Sequence, residues 1–230
     1  MNSQDLKTIA VIGAGAMGQQ IAMNTAINGR KLGYNVILCD SFEKAVEKAS
    51  AWADTYLKGR VEKGRLTAEE ADFVKQHLTI TSDVDGAAAK ADFIIEAIIE
   101  DLKVKRELFQ RISRICKPDA ILSTNSSNIV SSKLADVTEN PSRLLNVHYF
   151  NPALVMKLVA LVKGPHTSDE TIEIAKAFAV NTGKSPIVIQ KEIPGFVATR
   201  INAAVTHEAL SPLETGIATA EDIAPAWEKG

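Results

Sequence analysis

Short apolar runs alternate with helix-patterned segments along most of this chain, and that alternation constrains its fold more than any other feature. Residues 7–13 (KTIAVIG), 35–40 (NVILCD), 78–83 (LTITSD), 91–97 (ADFIIEA), 120–125 (AILSTN) and 143–149 (RLLNVHY) are rich in Ile, Val and Leu and close on turn or polar residues. Their near-continuous hydrophobicity suits strands covered on both faces. Between and after them, residues 17–30, 41–58, 67–76, 103–115 and 169–181 carry helical patterning. That order predicts an α/β protein with a doubly wound, mainly parallel sheet and right-handed crossovers. Residues 185–190 (SPIVIQ) read as a late strand, and 193–196 (IPGF) mark a break. Helical patterning resumes at 197–217, where Pro212 should kink or end it.

The first apolar run leads into Gly13-Ala14-Gly15-Ala16-Met17-Gly18 and then a helix. This is G-x-G-x-x-G in the context that gives it meaning. Gly13 permits the tight turn, Gly15 lets backbone approach a pyrophosphate, and Gly18 lets helix and strand pack closely. The helix N-terminus adds free N–H groups and positive potential for phosphates. Asp40 ends the second run, where a carboxylate accepts the adenosine ribose hydroxyls. Its charge would repel a 2′-phosphate, and Ser41 rather than arginine follows, so NAD is favoured over NADP. The bland alternatives are a glycine-rich structural turn and a solvated aspartate. The expected architecture is therefore a Rossmann-type dinucleotide-binding sheet with a short C-terminal helical segment.

Bulk properties mostly exclude. A chain of 230 residues that is 46% hydrophobic buries a sizeable core, as one domain or one plus a smaller one. A formal charge of -2 argues against nucleic acid or an anionic membrane as main partner. Cys39 and Cys116 are too few and too far apart for a disulfide framework or a zinc site. The N-terminus lacks a signal-peptide pattern, and no run approaches the ~20 apolar residues of a membrane span. A soluble, cytoplasmic protein is expected.

Beyond the glycine motif the chain resembles the L-3-hydroxyacyl-CoA dehydrogenases, including the bacterial 3-hydroxybutyryl-CoA dehydrogenases. The resemblance runs through GAGAMG (13–18), IIEAIIEDLKVKRELF (94–109), STNSSNI (123–129), HYFNP (148–152), MKLV (156–159), TGKSPIVI (182–189) and PGFVATR (194–200). It implies an NAD-binding domain over 1–192, with a helical arm at about 41–77 reaching over coenzyme A, and a C-terminal helical segment over 193–230. It also implies a homodimer. His148 falls at the family's general base, which takes the 3-hydroxyl proton while hydride leaves carbon 3. An imidazole titrating near neutrality suits a proton moved in both directions. Ser127 aligns with the hydroxyl that hydrogen-bonds the substrate oxygen, although it could instead cap the next helix. Asn151 aligns with a residue near the nicotinamide, or makes an Asx turn before Pro152. Glu96, Glu100 and Lys105 lie in the segment facing cofactor and thioester, while Asn128 falls beside the substrate. Lys105 reads equally as a solvated helix residue and Glu100 as an N-terminal helix charge. Lys58, Arg60, Lys63 and Arg65 meet coenzyme A phosphates or form a solvated face.

Two positions depart from the family. Its glutamate twelve residues after the histidine is Ala160 here, in MKLVALV. That glutamate would orient the imidazole and stabilise its cation. Its asparagine in the PGF segment is Thr199, which keeps a hydroxyl but loses the amide's paired donors. The cofactor motifs stay intact. Three outcomes are consistent: the family's reaction with weakened acid–base catalysis, an engineered or re-specialised enzyme reducing a non-CoA ketone or imine, or an NAD-binding scaffold. Residues 19–34 also run longer than the family pattern by about one helical turn, absorbed in the helix or opened as a loop at Asn28-Gly29. After Phe196 only a fraction of the family's helical domain follows, with Pro212 and Pro225 expected to interrupt its helices.

Overall fold

The computed structural model describes residues 5–229. Eight strands form one sheet: β1 (Thr8–Ile12), β2 (Asn35–Cys39), β3 (Leu78–Thr81), β4 (Phe93–Glu96), β5 (Ile121–Thr124), β6 (Leu144–Tyr149), β7 (Leu158–Val162) and β8 (Ser185–Ile189). Their order is β3-β2-β1-β4-β5-β6-β7-β8. Every pair is parallel except β6 with β7. From β1 the chain first builds outward through β2 and β3, then returns to β4 on the other side. The strand order therefore reverses at β1 and β4, and the crevice beyond their carboxyl ends is where such sheets bind ligands.

Sequence explains the strands directly. Alternate residues serve opposite faces: Ile9, Val11, Phe93, Ile95, Leu145 and Val147 enter one core, while Ala10, Ile12, Ile94, Leu122 and Leu144 enter the other. With both faces covered, no polar residue is needed in alternation. Phe178 anchors the first core, stacked on Phe93 at 4.5 Å and on Tyr34 at 6.2 Å.

The helices are α1 (Ala16–Gly29), α2 (Glu43–Glu62), α3 (Ala68–His77), α4 (Val84–Lys90), α5 (Leu102–Ile115), α6 (Ser132–Ala135), α7 (Asp169–Asn181), α8 (Ala198–Glu214) and α9 (Ala220–Lys229). Several starts are written as side-chain caps. Asp101 accepts from Val104 N, Ser168 accepts from Thr171 N, and Thr67 forms a capping box with Glu70. The extra length after Gly18 is absorbed as helix. α1 runs to Gly29, a 3-10 turn covers Arg30–Leu32, and Gly33 closes it at φ 68°. Asn28-Gly29 opens no loop.

Three features differ from the pattern read in sequence. Residues 158–162, not among the strands read from the sequence, form β7, which pairs antiparallel with β6. α4 and α6 are too short to display helical periodicity. Pro212 does stand two residues before the end of α8, but Pro225 lies inside α9, which forgoes one backbone bond and continues.

The chain divides into two compact units, one ending at Glu192 and the other beginning at Ile193. In the second, α8 and α9 bury no side chain, and Ile201, Leu210, Leu213 and Trp227 are exposed. Among the described residues no helix is long and apolar enough to cross a membrane.

Candidate active site

The crevice at the sheet's reversal is built by backbone. Gly13 has φ 108°, a conformation that disfavours side chains, and a Cβ there would lie 2.5 Å from Ala97 O. A Cβ on Gly18 would lie 1.8 Å from Gly13 O, so α1 approaches β1 closely only with glycine at that position. Gly15 is different. Its φ of -73° suits any residue, a Cβ would meet nothing within 4 Å, and no side chain caps the helix there. The open space above an uncapped helix start is what a pyrophosphate fills. Asp40, half-buried just past β2, accepts from Ala14 N at 2.8 Å and Phe42 N at 3.0 Å. It thus ties the glycine turn to β2 and keeps lone pairs for a ribose. These residues fit a dinucleotide carrying no 2′-phosphate.

On the neighbouring side of the crevice, His148 lies near the end of β6, only 6% exposed. Its Nε2 is 2.9 Å from Ser127 Oγ, and its ring meets Phe150 edge-on at 4.7 Å. Burial holds the imidazole below its ordinary titration range, and the Glu100 carboxylate pulls it partly back. Ser127 caps no helix. The local turn is capped instead by Ser126, whose Oγ accepts from Ile129 N at 2.7 Å. Directly across the antiparallel pair from His148 stands Ala160. Opposed residues have Cβ atoms about 5 Å apart, so position 160 is where a carboxylate would reach the imidazole, and a methyl group occupies it.

Two residues that sequence reasoning missed hold this geometry. Asn146, fully buried on β6, donates to Ser126 O at 3.3 Å and Ile129 O at 3.0 Å, and accepts from Ser131 N at 2.7 Å. It fixes the turn carrying Ser127 to the strand carrying His148. Asn125 Oδ1 accepts from Tyr149 N at 2.8 Å. An asparagine within an otherwise apolar strand was the available signal.

Glu96, Lys105 and Glu100 form a connected charge cluster beside the same turn. Lys105 Nζ sits 2.5 Å from Glu96 Oε1 and 3.4 Å from Glu100 Oε2. Lys105 is 1% exposed, so it is not a solvated helix residue; it neutralises carboxylates. Glu96 also accepts from Thr124 Oγ1 at 2.6 Å and Ile98 N at 2.8 Å. Glu100 accepts from Ser126 Oγ and from Asn128 N, the latter at 3.3 Å. Burial works against the Glu100 anion, but these bonds and Lys105 outweigh it and hold its carboxyl below the usual range.

The remaining candidates are dispersed. Asn151 is exposed in the β6–β7 connection, before a cis bond to Pro152, and among the described residues its side chain makes no hydrogen bond, so no Asx turn forms. Asn128 is exposed beside Ser127. Lys58, on α2, Lys63, which follows it, and Arg65 are exposed, while Arg60 lies over the Tyr56 ring at 6.0 Å. Thr199 is exposed on α8, in the second unit. Among the described residues no His, Cys, Asp and Glu cluster could hold a metal.

Sheet, glycine cradle and Asp40 together define a dinucleotide-binding α/β protein. Comparison with known proteins narrows that class. The 3-hydroxyacyl-CoA dehydrogenase NAD binding domain matches residues 8–193. A 3-hydroxyadipyl-CoA dehydrogenase of Escherichia coli is 36% identical over 98% of this chain and 46% of its own length. A probable 3-hydroxybutyryl-CoA dehydrogenase of Bacillus subtilis is 34% identical over 98% of this chain and 77% of its own. The crystal structure of (S)-3-hydroxybutyryl-CoA dehydrogenase from Ralstonia eutropha superposes with a TM-score of 0.88 at 33% identity, covering 95% of this chain and 75% of that one. The chain thus spans just under half of the first relative and about three quarters of the others. It belongs to the 3-hydroxyacyl-CoA dehydrogenase family of NAD-dependent oxidoreductases, carries that family's NAD-binding domain, and uses NAD.

Proposed function

We propose that this chain interconverts 3-hydroxyacyl and 3-oxoacyl thioesters of coenzyme A, with His148 as the acid–base group and Ser127 as its hydrogen-bonding companion. The observation that carries the reading is the 2.9 Å approach of Ser127 Oγ to His148 Nε2 beside the nucleotide crevice. A substrate hydroxyl within hydrogen-bond reach of both atoms gives its proton to Nε2 and keeps a hydrogen bond to Ser127. When bound, NAD supplies the hydride acceptor, or the donor in reverse. Burial keeps the imidazole neutral at pH 7, the form that accepts a proton. The imidazolium that forms has no carboxylate opposite it, because position 160 is alanine. Proton transfer is therefore slow for the family rather than absent, and the family relationship favours this reading over a non-CoA ketone, an imine or an inert scaffold.

Around this centre, Lys58 and Lys63 offer charges to coenzyme A phosphates, and Asn128 contributes to the substrate pocket. Asn151, in the connection that follows β6, is assigned to the nicotinamide end by the family resemblance. A homodimer is supported by the exposed apolar side chains of α8, and a reducing cytoplasmic setting by two free cysteines. The test is NADH consumption with acetoacetyl-CoA. The chain should turn over, and His148→Gln should lower kcat by roughly 10²–10⁴ while still binding NADH. Equal rates for the two proteins would remove His148 from the chemistry.

A further inference from the structure

We propose that Glu100 is the positioning residue for His148 in this chain, supplying from behind the Ser126–Asn128 turn the negative charge that position 160 lacks. This rests on His148 being the acid–base group and extends that reading to what governs it. The turn residue that touches His148 is Ser127. Its two neighbours are both bound to a single carboxylate: Ser126 Oγ and Asn128 N donate to Glu100 Oε1. Glu100 therefore holds the hydroxyl that holds the imidazole.

The same carboxylate acts on the ring through space. Facing His148 across the sheet is Ala160, and from the turn after β5 comes Ser127, neither of them charged. Phe150 covers the ring edge. The charges on the turn side are Glu100 and, behind it, the Lys105–Glu96 pair. Two carboxylates share one ammonium, so the cluster keeps one net negative charge, and its half-exposed end is Glu100, with a side chain 43% exposed. Burial pushes His148 down, and Glu100 opposes it. A carboxylate opposite the ring would orient and stabilise the imidazolium directly; Glu100 stabilises it at longer range and orients it through Ser127.

Glu100→Gln tests this, since the amide oxygen keeps both bonds to the turn while the charge and its ion pair with Lys105 are lost. The readout is the titration of the His148 imidazole by NMR in the protein without substrate, its resonance assigned with His148→Gln. Loss of that charge should move the midpoint down, and Glu100→Asp, which retains the charge, should recover most of the shift. An unmoved midpoint in Glu100→Gln overturns the proposal. So does a loss of NADH affinity in Glu100→Gln without any change in the titration, which would assign Glu100 to the cofactor alone. Because no turnover is measured, these outcomes stand apart from the His148→Gln assay, which judges the underlying function.

Discussion

At the scale of single residues, one histidine, one serine and one alanine set the character of the site. His148 has to be neutral to accept the hydroxyl proton, so burial that disfavours its cation extends the working form into mildly acidic solution. The sign is definite. A lowered midpoint means that kcat/KM for 3-hydroxyacyl oxidation stays flat as pH falls through 6.5, the ordinary histidine value, and declines only below it. A midpoint at or above that value in a kcat/KM profile would show that the imidazole is not shielded as described. The residues that set this environment were unequally visible beforehand. His148 and Ser127 could be read from their motifs, HYFNP and STNSSN. Asn146 showed only as an asparagine in an apolar run, because its value lies in three hydrogen bonds to a turn some 15 to 20 residues earlier in the chain.

Elements divide into those built for the fold and those built for the ligand, and the glycine turn between β1 and α1 separates the two cleanly. Gly18 is constrained from inside the protein and Gly15 only from outside it. Gly18→Ala should therefore lower the thermal midpoint by several degrees, as expected for overpacking that costs about 1–3 kcal/mol. Gly15→Ala should leave the midpoint of the nucleotide-free protein within a degree or so and weaken NADH binding about tenfold or more. Differential scanning fluorimetry and calorimetric titration distinguish them; equal destabilisation by both would mean that no ligand shapes Gly15. The strands were legible for a physical reason, since burial on both faces leaves continuous Ile, Val and Leu. β7 was less so, because an antiparallel return needs no helical crossover to announce it. Lys105 was misread as possibly solvated because Lys103, Arg106 and Glu107 around it are polar, while the partner that buries it, Glu96, comes from another element.

For the molecule as a whole, strand order fixes where chemistry happens. Reversal at β1 and β4 opens the nucleotide crevice, and continuation through β5 and β6 brings the Ser127 turn and His148 to its side. Antiparallel β7 then sets residue 160 against the histidine. With His148 as the proposed acid–base group, position 160 on β7 bears directly on how well the site moves its proton. In serine proteases, disabling the aspartate behind the histidine costs about 10⁴ in rate, which sets the scale of what alanine forfeits here. The most direct measurement is the rate of NADH oxidation with acetoacetyl-CoA by the wild type and by Ala160→Glu, side by side. The wild type should show measurable turnover and the variant a gain of roughly 10² or more in kcat, with NADH affinity unchanged. A variant that folds and binds NADH but is no faster than the wild type would contradict that expectation.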